Sequence, residues 1–382
     1  MKIENIDVKN IELSLEDDYI LEASYSDESE IYPIVNIKVE KGFYTVFELK
    51  RKYDSTPRRI ILDSSFQREV VWSPKQKSEL IESILMGLPL PIFYFNEDKK
   101  GRLIVVDGRQ RLTALFEFMD NRLILSKNLK VLQSISGKKF TDLEALMQSK
   151  IEDYQIHAHV IQPPTPDRLK FDIFDRVNRA GTQLNKQEIR NALYQGEATK
   201  LLDKLSNSEE FNLVTSNSFK NNSRMKDKYI ILRFLALYLY FDDAIIDDSG
   251  KVYVYKNDMD ELLGRAMDTI NTYNEIKINI LYEIVIDTCK KVYFYVGDDA
   301  FRLKLGRNRS PINMNLFECI MYFFMHLDAD YSHKPKYIKE KINWLKNDSD
   351  FLDSIGNHRD SVLKIKKRFD IIKKLLEELD DK

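Results

Sequence analysis

A strand, a tight turn and a helix follow one another between Leu103 and Phe118, where the sequence reads LIVVDGRQRLTALFEF. Leu103 to Val106 form a short apolar, β-branched run, which is typical of a buried strand. Asp107 and Gly108 interrupt this run, and apolar residues then recur at helical spacing. The segment therefore predicts a turn that gathers polar side chains at the N-terminus of a helix.

The residues of this turn suit an anion. Unpaired N–H groups at a helix start favour negative charge, and Gly108 lets a phosphate approach the backbone closely. Arg109 and Arg111 carry planar donor groups that match phosphate oxygens. Asp107 could hold a metal ion or orient a water, which Gln110 could position, as amide side chains do in phosphoryl transfer. A plain strand–helix turn with two surface arginines has the same sequence, and the five residues alone favour that simpler interpretation.

Composition narrows the class of protein. The 382 residues predict two or three domains, and 59 basic against 61 acidic residues do not indicate a globally basic nucleic-acid binder. Two cysteines exclude a disulfide scaffold and a cysteine-rich zinc site, which fits a reducing compartment. The N-terminus lacks the apolar core of a signal peptide, and the most apolar run, Tyr229 to Phe241, is shorter than the ~20 residues of a membrane span. We expect a soluble cytoplasmic protein.

Helix starts are predicted at three places. Thr45 with Glu48 has the spacing of a capping box, and Asn185 pairs with Glu188 in the same way. Ser73 is a favourable N-cap, and the proline that follows it suits the first helical position.

The chain changes from mixed α/β to almost all-α near residues 196–222. Strand signals end there, apart from Lys251 to Tyr255, and long amphipathic stretches follow, the longest from Asp258 to about Phe294. We therefore predict an α+β protein with an N-terminal segment of uncertain structure (1–44), an α/β domain that carries the turn (45–200) and a helical domain (201–382).

Other residues could contribute to a site, although each has a plainer explanation. Arg68, just before the helix that begins after Ser73, could reach a phosphate or form a surface ion pair. Asn178, Arg179 and Gly181 lie in a polar loop that could contact a phosphate or ribose, or could be only a turn.

His157 and His159 alternate along a predicted strand and so face the same side. No third ligand with suitable spacing lies nearby, which argues against zinc.

Nucleic-acid binding would require a local basic surface. Two polar segments concentrate basic residues: Lys220, Arg224, Lys226 and Lys228, and then Arg302, Lys304, Arg307 and Arg309. The second segment, FRLKLGRNRS, is the better candidate for DNA, although a solvated loop is the simpler interpretation.

Four motifs in order resemble a known family. They read FQREVVWSPKQKSELIESILMGLPLPIFYF, VVDGRQRLTALFEF, IFDRVNRAGTQLNKQEIRNALY and RMKDKYIILRFLAL. This order resembles the N-terminal, or DGQQR, domain of GmrSD-type modification-dependent restriction systems, which belongs to the ParB/sulfiredoxin-like superfamily. The resemblance covers about Thr45 to Leu237, roughly half of the chain.

The resemblance implies a ParB-like domain that binds nucleotides, with NTP hydrolysis in several members, and a role in defence against phage or modified DNA. Residues match the family motifs position by position. Asp107, Gly108, Gln110 and Arg111 match DGQQR, while Arg109 stands where the family more often has glutamine. Arg68 matches the arginine before VW; Asn178, Arg179, Gly181 and Asn185 match the loop that follows, with Ala180 in place of a glycine, and Arg190 and Asn191 match the next helix.

The leading hypothesis is therefore a Mg²⁺-dependent NTPase that acts as the sensor or regulatory half of a prokaryotic anti-phage or restriction-type system. Its expected partners are a nucleoside triphosphate, DNA, a separate nuclease or effector subunit and a second copy of the chain. The alternative is a DNA-binding or partner-docking module whose nucleotide site is regulatory or inactive. A nuclease in this chain is not expected, because the sequence lacks the HNH-like histidine centre of full-length family members.

Overall fold

The computed structural model divides into two compact units, residues 38–193 and residues 194–380. The first unit contains a β-sheet and the second is mostly helical, so the α+β prediction is confirmed. The structure describes residues 38–62, 72–98, 100–165, 167–178, 185–220, 224–303, 310–328, 331, 333–356 and 358–380, without the side chains of 167–168, 175–178 and 380.

The described strands of the first unit form one mixed sheet. They are β1 (Lys38–Thr45), β2 (Ile60–Ile61), β3 (Phe93–Glu97), β4 (Leu103–Asp107) and β5 (Gln155–Gln162). Their order across the sheet is β1-β5-β3-β4-β2. The β1–β5 and β3–β4 pairs are antiparallel, while β3–β5 and β2–β4 are parallel.

Helices cover both faces of this sheet. They are α1 (Val46–Asp54), α2 (Pro74–Leu85), α3 (Arg109–Met119), α4 (Ala145–Glu152), α5 (Asp167–Asn178) and α6 (Lys186–Leu193). The larger core joins Phe93, Phe95 and Val105 to apolar residues of α1–α4. A smaller core on the other face joins Val106 and Ile161 to α5 and α6. Residues alternate between these cores because successive side chains of a strand point to opposite faces.

The predicted helix starts are confirmed. Ser73 Oγ accepts a hydrogen bond from the Gln76 amide at 3.3 Å, and the Gln76 side chain accepts one from the Ser73 amide at 2.9 Å. Thr45 caps α1 in a similar way, by accepting from the amide of Glu48. At α6, Asn185 Oδ1 accepts from the Glu188 amide at 2.8 Å, and Glu188 Oε2 accepts from the Asn185 amide at 2.6 Å. These bonds satisfy amides that a helix leaves unpaired.

The second unit consists mainly of helices. They are α7 (Glu197–Ser206), α8 (Glu209–Val214), α9 (Lys226–Phe241), α10 (Met259–Asn271), α11 (Glu275–Tyr295), α12 (Met314–His326), α13 (Pro335–Leu345), α14 (Ser349–Ser354) and α15 (Val362–Asp380). None of the helices in the described part of the chain is both long and apolar enough to cross a membrane.

Two details of the second unit differ from the sequence-based expectation. The stretch from Asp258 to Phe294 is two helices, because Asn274 interrupts it and caps α11 by accepting from the Lys277 amide at 3.0 Å. The predicted strand from Lys251 to Tyr255 is wrong, since only an isolated bridge joins Ile246 to Val252. A β-branched sequence forms a strand only where a neighbouring strand continues the ladder.

A network of buried charges joins three helices of this unit. Glu318 on α12 accepts hydrogen bonds from Arg233 on α9 and, at 2.9 Å, from Arg368 on α15, and all three side chains are fully buried. Asp360 also accepts from Arg233, at 2.7 Å. Burial raises the pKa of Asp360, but the guanidinium groups of Arg233, Arg368 and Arg359 together outweigh burial and hold this pKa at about 2. The network therefore favours the charged form of Asp360.

We expect the substitution Glu318→Gln to lower the free energy of unfolding by about 3 kcal/mol or more, because it leaves two buried guanidinium groups without their shared counter-charge. Urea unfolding followed by circular dichroism measures this loss.

The matched control is Glu378→Gln, which removes an exposed carboxylate paired with Lys341 at 3.0 Å. An exposed pair contributes less than about 1 kcal/mol, so this variant should unfold close to the wild type. Equal losses in the two variants would contradict a special role for the buried network.

Candidate functional site

Gly108 forms the turn between β4 and α3, as the sequence predicts. Its φ of +98° lies in the left-handed region, where residues with a side chain are strained. A Cβ atom at this position would lie 2.1 Å from Cδ1 of Phe93, far inside van der Waals contact. The turn therefore requires glycine for its backbone angle and also for its close approach to the ring on β3.

The N-terminus of α3 keeps its positive partial charge. Gly108 at the N-cap position has no side chain that could accept a hydrogen bond here, and the first turn, which begins at Arg109, contains no acidic residue. Amide N–H groups at such a helix start attract anions. The positive end of α3 and the half-buried Arg109 therefore lie next to each other at the end of β4.

Arg111 is directed into the protein and holds Asp107. Its side chain is buried, and Nη2 donates to Asp107 Oδ2 at 2.9 Å. The guanidinium group also donates to the carbonyl oxygens of Pro91 and Ile92 and lies 4.0 Å from the centre of the Phe93 ring. Burial lowers the pKa of Arg111, although Asp107 opposes this shift. Arg111 thus fixes the orientation of a carboxylate whose side chain is still 40% exposed.

A second contact fixes the loop that Arg111 touches. The Tyr154 hydroxyl donates to the Leu88 carbonyl at 2.9 Å and accepts from the Leu90 amide at 3.0 Å. The loop between α2 and β3 is therefore held at both ends, by Tyr154 near Leu88 and by Arg111 near Ile92. This rigid support limits where Asp107 can move.

Gln110 reaches across the turn to the start of α2. Its Oε1 accepts a hydrogen bond from the Trp72 amide at 3.2 Å. The amide Nε2 is the other polar group of this side chain, and it can donate to a water or to an anion. Gln110 therefore connects the turn to the segment that ends in Trp72.

The turn brings together five of the residues predicted for the site, namely Asp107, Gly108, Arg109, Gln110 and Arg111. Arg68, Arg179 and Gly181 lie outside the described residues. Asn178 ends α5, and its side chain also lies outside the described part.

Sequence reasoning missed Gln187 and the role of Phe93. Gln187 on α6, which packs against β4, donates to Asn191 Oδ1 at 2.7 Å and accepts from Arg190 at 2.7 Å. These three polar side chains are buried, and Arg190 lies over the Phe171 ring. Their i, i+3, i+4 spacing places them on one side of a helix. The polar residues of the sequence QEIRN, at this spacing, could have predicted the polar side of the helix.

Basic residues predicted to contact DNA are partly buried in the second unit. Lys228 is paired with Asp203. Arg302 is buried and donates to the Ser310 carbonyl at 2.5 Å and to Ser218 Oγ at 2.6 Å. These two side chains therefore stabilise their own unit. Lys304, Arg307 and Arg309 lie outside the described residues.

We expect Gly108→Ala to lower the free energy of unfolding by about 3 kcal/mol or more, because a left-handed φ and an overpacked contact with Phe93 add their costs. The control is Gly87→Ala, where φ is +75° but nothing lies within 4 Å of the added Cβ. That variant should lose only about 1 kcal/mol. Urea unfolding compares the two, and equal losses would contradict the tight contact.

One family model matches the chain. Residues 46–195, which are less than half of it, match the model described as GmrSD restriction endonuclease, N-terminal domain. A search of curated proteins and a search of solved structures returned no match. The matched range contains the β4–α3 turn, the loop that Arg111 holds and the polar helix α6, and it associates the chain with restriction-type defence systems. Residues 46–195 of this protein are therefore similar to the N-terminal domain of GmrSD-type restriction endonucleases.

Proposed function

We propose that this domain binds a nucleoside triphosphate at the β4–α3 turn and hydrolyses it with Mg²⁺, as the sensor or regulatory half of a prokaryotic anti-phage or restriction-type system. The observation that carries this proposal is the Asp107 carboxylate, which Arg111 fixes and which is still exposed to solvent beside an uncapped helix N-terminus. Fixed negative and positive groups at one edge of a sheet suit a metal–phosphate complex.

The residues of the turn fit a magnesium ion that is shared with phosphates. Mg²⁺ is usually held by one or two carboxylates, with waters and substrate phosphates as the other ligands. Asp107 supplies one carboxylate, and no group of three potential metal-binding side chains occurs among the described residues. When bound, Mg²⁺ neutralises charge on the phosphate oxygens.

Each remaining residue has a role that follows from its position. The Gly108 amide and Arg109 would bind phosphate oxygens, and Gln110 Nε2 would orient a water or a phosphate. Arg111 would act as a positioning residue, because its donors already hold Asp107 and the loop at Ile92. Arg68, Asn178, Arg179 and Gly181 are proposed as further phosphate or ribose contacts.

A nucleotide-dependent half of this kind would act on a nuclease or effector subunit, on DNA or on a second copy of the chain.

A docking or DNA-binding module with an inactive nucleotide site is the second candidate. The side chains of Gln110 and Arg111 support it, because the hydrogen bonds that they make to Trp72 and Pro91 lie within the protein. In this alternative the turn stabilises the fold without performing a reaction.

We expect Asp107→Asn to reduce phosphate release by about 100-fold or more, because it removes the charge that would hold the metal or polarise the water. The assay measures release from each of the four ribonucleoside triphosphates with Mg²⁺, with and without DNA. Asp98→Asn is the matched control, since Asp98 forms the same i,i+4 pair with Arg102 at 2.7 Å in the β3–β4 loop. Nucleotide binding by calorimetry without hydrolysis would favour the inactive module, and neither binding nor release would contradict the nucleotide site.

Arg111→Lys should lower the rate by about 10- to 100-fold and leave nucleotide affinity nearly unchanged, because a compact ammonium lacks the planar donor fork that spans Asp107 and two carbonyls. Calorimetry and phosphate release together separate the two quantities. A large loss of affinity with an unchanged rate would instead identify Arg111 as a direct phosphate ligand.

A further inference from the structure

Part of the sheet face beside α5 and α6 is open. These helices pack on Val106 and Ile161, which lie on this face. Towards the edge strand the same face ends in exposed side chains, and the Phe43 ring on β1 is 62% exposed. We call the strand residues Val39, Lys41, Phe43, Tyr94, His157 and His159 the open sheet face.

Aromatic rings extend across three neighbouring strands of the open sheet face. Phe43 on β1 is the register partner of His157 on β5, and their ring centres are 5.1 Å apart. His159, two residues further along β5, lies beside Tyr94 on β3, with ring centres 5.4 Å apart. The first pair meets edge to face at 77° and the second is tilted by 37°, so the two pairs share one surface without being parallel.

Charge is divided between the two faces of this sheet. Lys41 is exposed on the open sheet face, opposite His159. On β1 and β5 the strand positions of that face carry no carboxylate, whereas Glu40 and Glu97 point to the other face. On β4, Asp107 is the register partner of Tyr94. The alternation of strand side chains fixes this separation. Around Phe43 and Lys41 the open sheet face is thus aromatic, with a basic residue and without an acidic neighbour on β1 or β5.

We propose that the open sheet face binds single-stranded nucleic acid, with bases stacked on Phe43 and His157 and a phosphate bound by Lys41. A base can stack on a sheet only if it is unpaired, because the flat faces of bases are covered by their neighbours in a duplex. Every base has such a flat face, so stacking does not require a particular sequence. The exposed Lys41 and the absence of carboxylates at the β1 and β5 positions of this face favour a polyanion over an acidic or neutral protein surface. Neighbouring strands lie about 4.8 Å apart, so the rings on β1, β5 and β3 cover a width that accommodates about two bases. The residues proposed to contact nucleic acid lie on β1 and β5, whereas the proposed nucleotide turn follows β4, so this proposal does not rest on nucleotide binding.

The test measures binding of the full chain to a fluorescein-labelled 15-nucleotide oligo(dT) by fluorescence anisotropy. Phe43→Ala should weaken binding by roughly 5- to 100-fold, which corresponds to the loss of one stacked base. Phe43→Leu should weaken it similarly, because leucine keeps apolar surface but has no ring. Phe47→Ala is the matched control, since Phe47 on α1 is also exposed, at 53%, but points away from the open sheet face. Its binding should equal that of the wild type.

Salt dependence tests the phosphate contact. Lys41→Ala should reduce the slope of log affinity against log salt by about 0.7, while Phe43→Ala should leave the slope unchanged. An oligo(rU) of the same length identifies whether DNA or RNA is preferred. The proposal is overturned if the wild type does not bind, if Phe47→Ala weakens binding as much as Phe43→Ala, if Phe43→Leu binds like the wild type, or if a duplex of the same length binds more tightly.

Discussion

The close approach of Gly108 to the Phe93 ring is the contact on which the candidate site depends. It lets β4 turn directly into α3, so that Asp107 and Arg111 are four residues apart on either side of one turn. The same ring lies under the Arg111 guanidinium, which binds Asp107 and the preceding loop at Ile92. A larger residue at the turn would move the backbone, the ring and the ion pair together.

Local features of the first unit could be predicted from the sequence because they depend on neighbouring residues. The strand–turn–helix around Gly108 and the capping pair of Asn185 with Glu188 follow from turn and cap chemistry. The burial of Arg111 could not be predicted, because its acceptors lie on a loop about twenty residues earlier in the chain. The sequence alone does not distinguish an arginine that binds a phosphate from one that donates to two backbone carbonyls.

The features of the second unit that the sequence did not predict also depend on contacts between residues far apart in the chain. The residues from Lys251 to Tyr255 have strand composition, but no strand in the described part of the chain continues their pairing beyond one bridge. The composition around Glu318 reads as an apolar helix with one acidic residue, and only the tertiary arrangement shows that two arginines from distant helices meet it. Burial of charge is therefore decided by packing and not by local pattern.

Strand β3 belongs to both surfaces that carry the functional proposals. Phe93 faces the turn, and Tyr94, the next residue, faces the open sheet face, because side chains alternate along a strand. The pairing of β3 with β4 shifts register between Tyr94 and Phe95, directly opposite Asp107. A displacement of this short segment would alter the ring that supports Arg111 and the ring beside His159 at the same time. Two chemically different surfaces therefore share one element, and neither can change its β3 backbone without affecting the other.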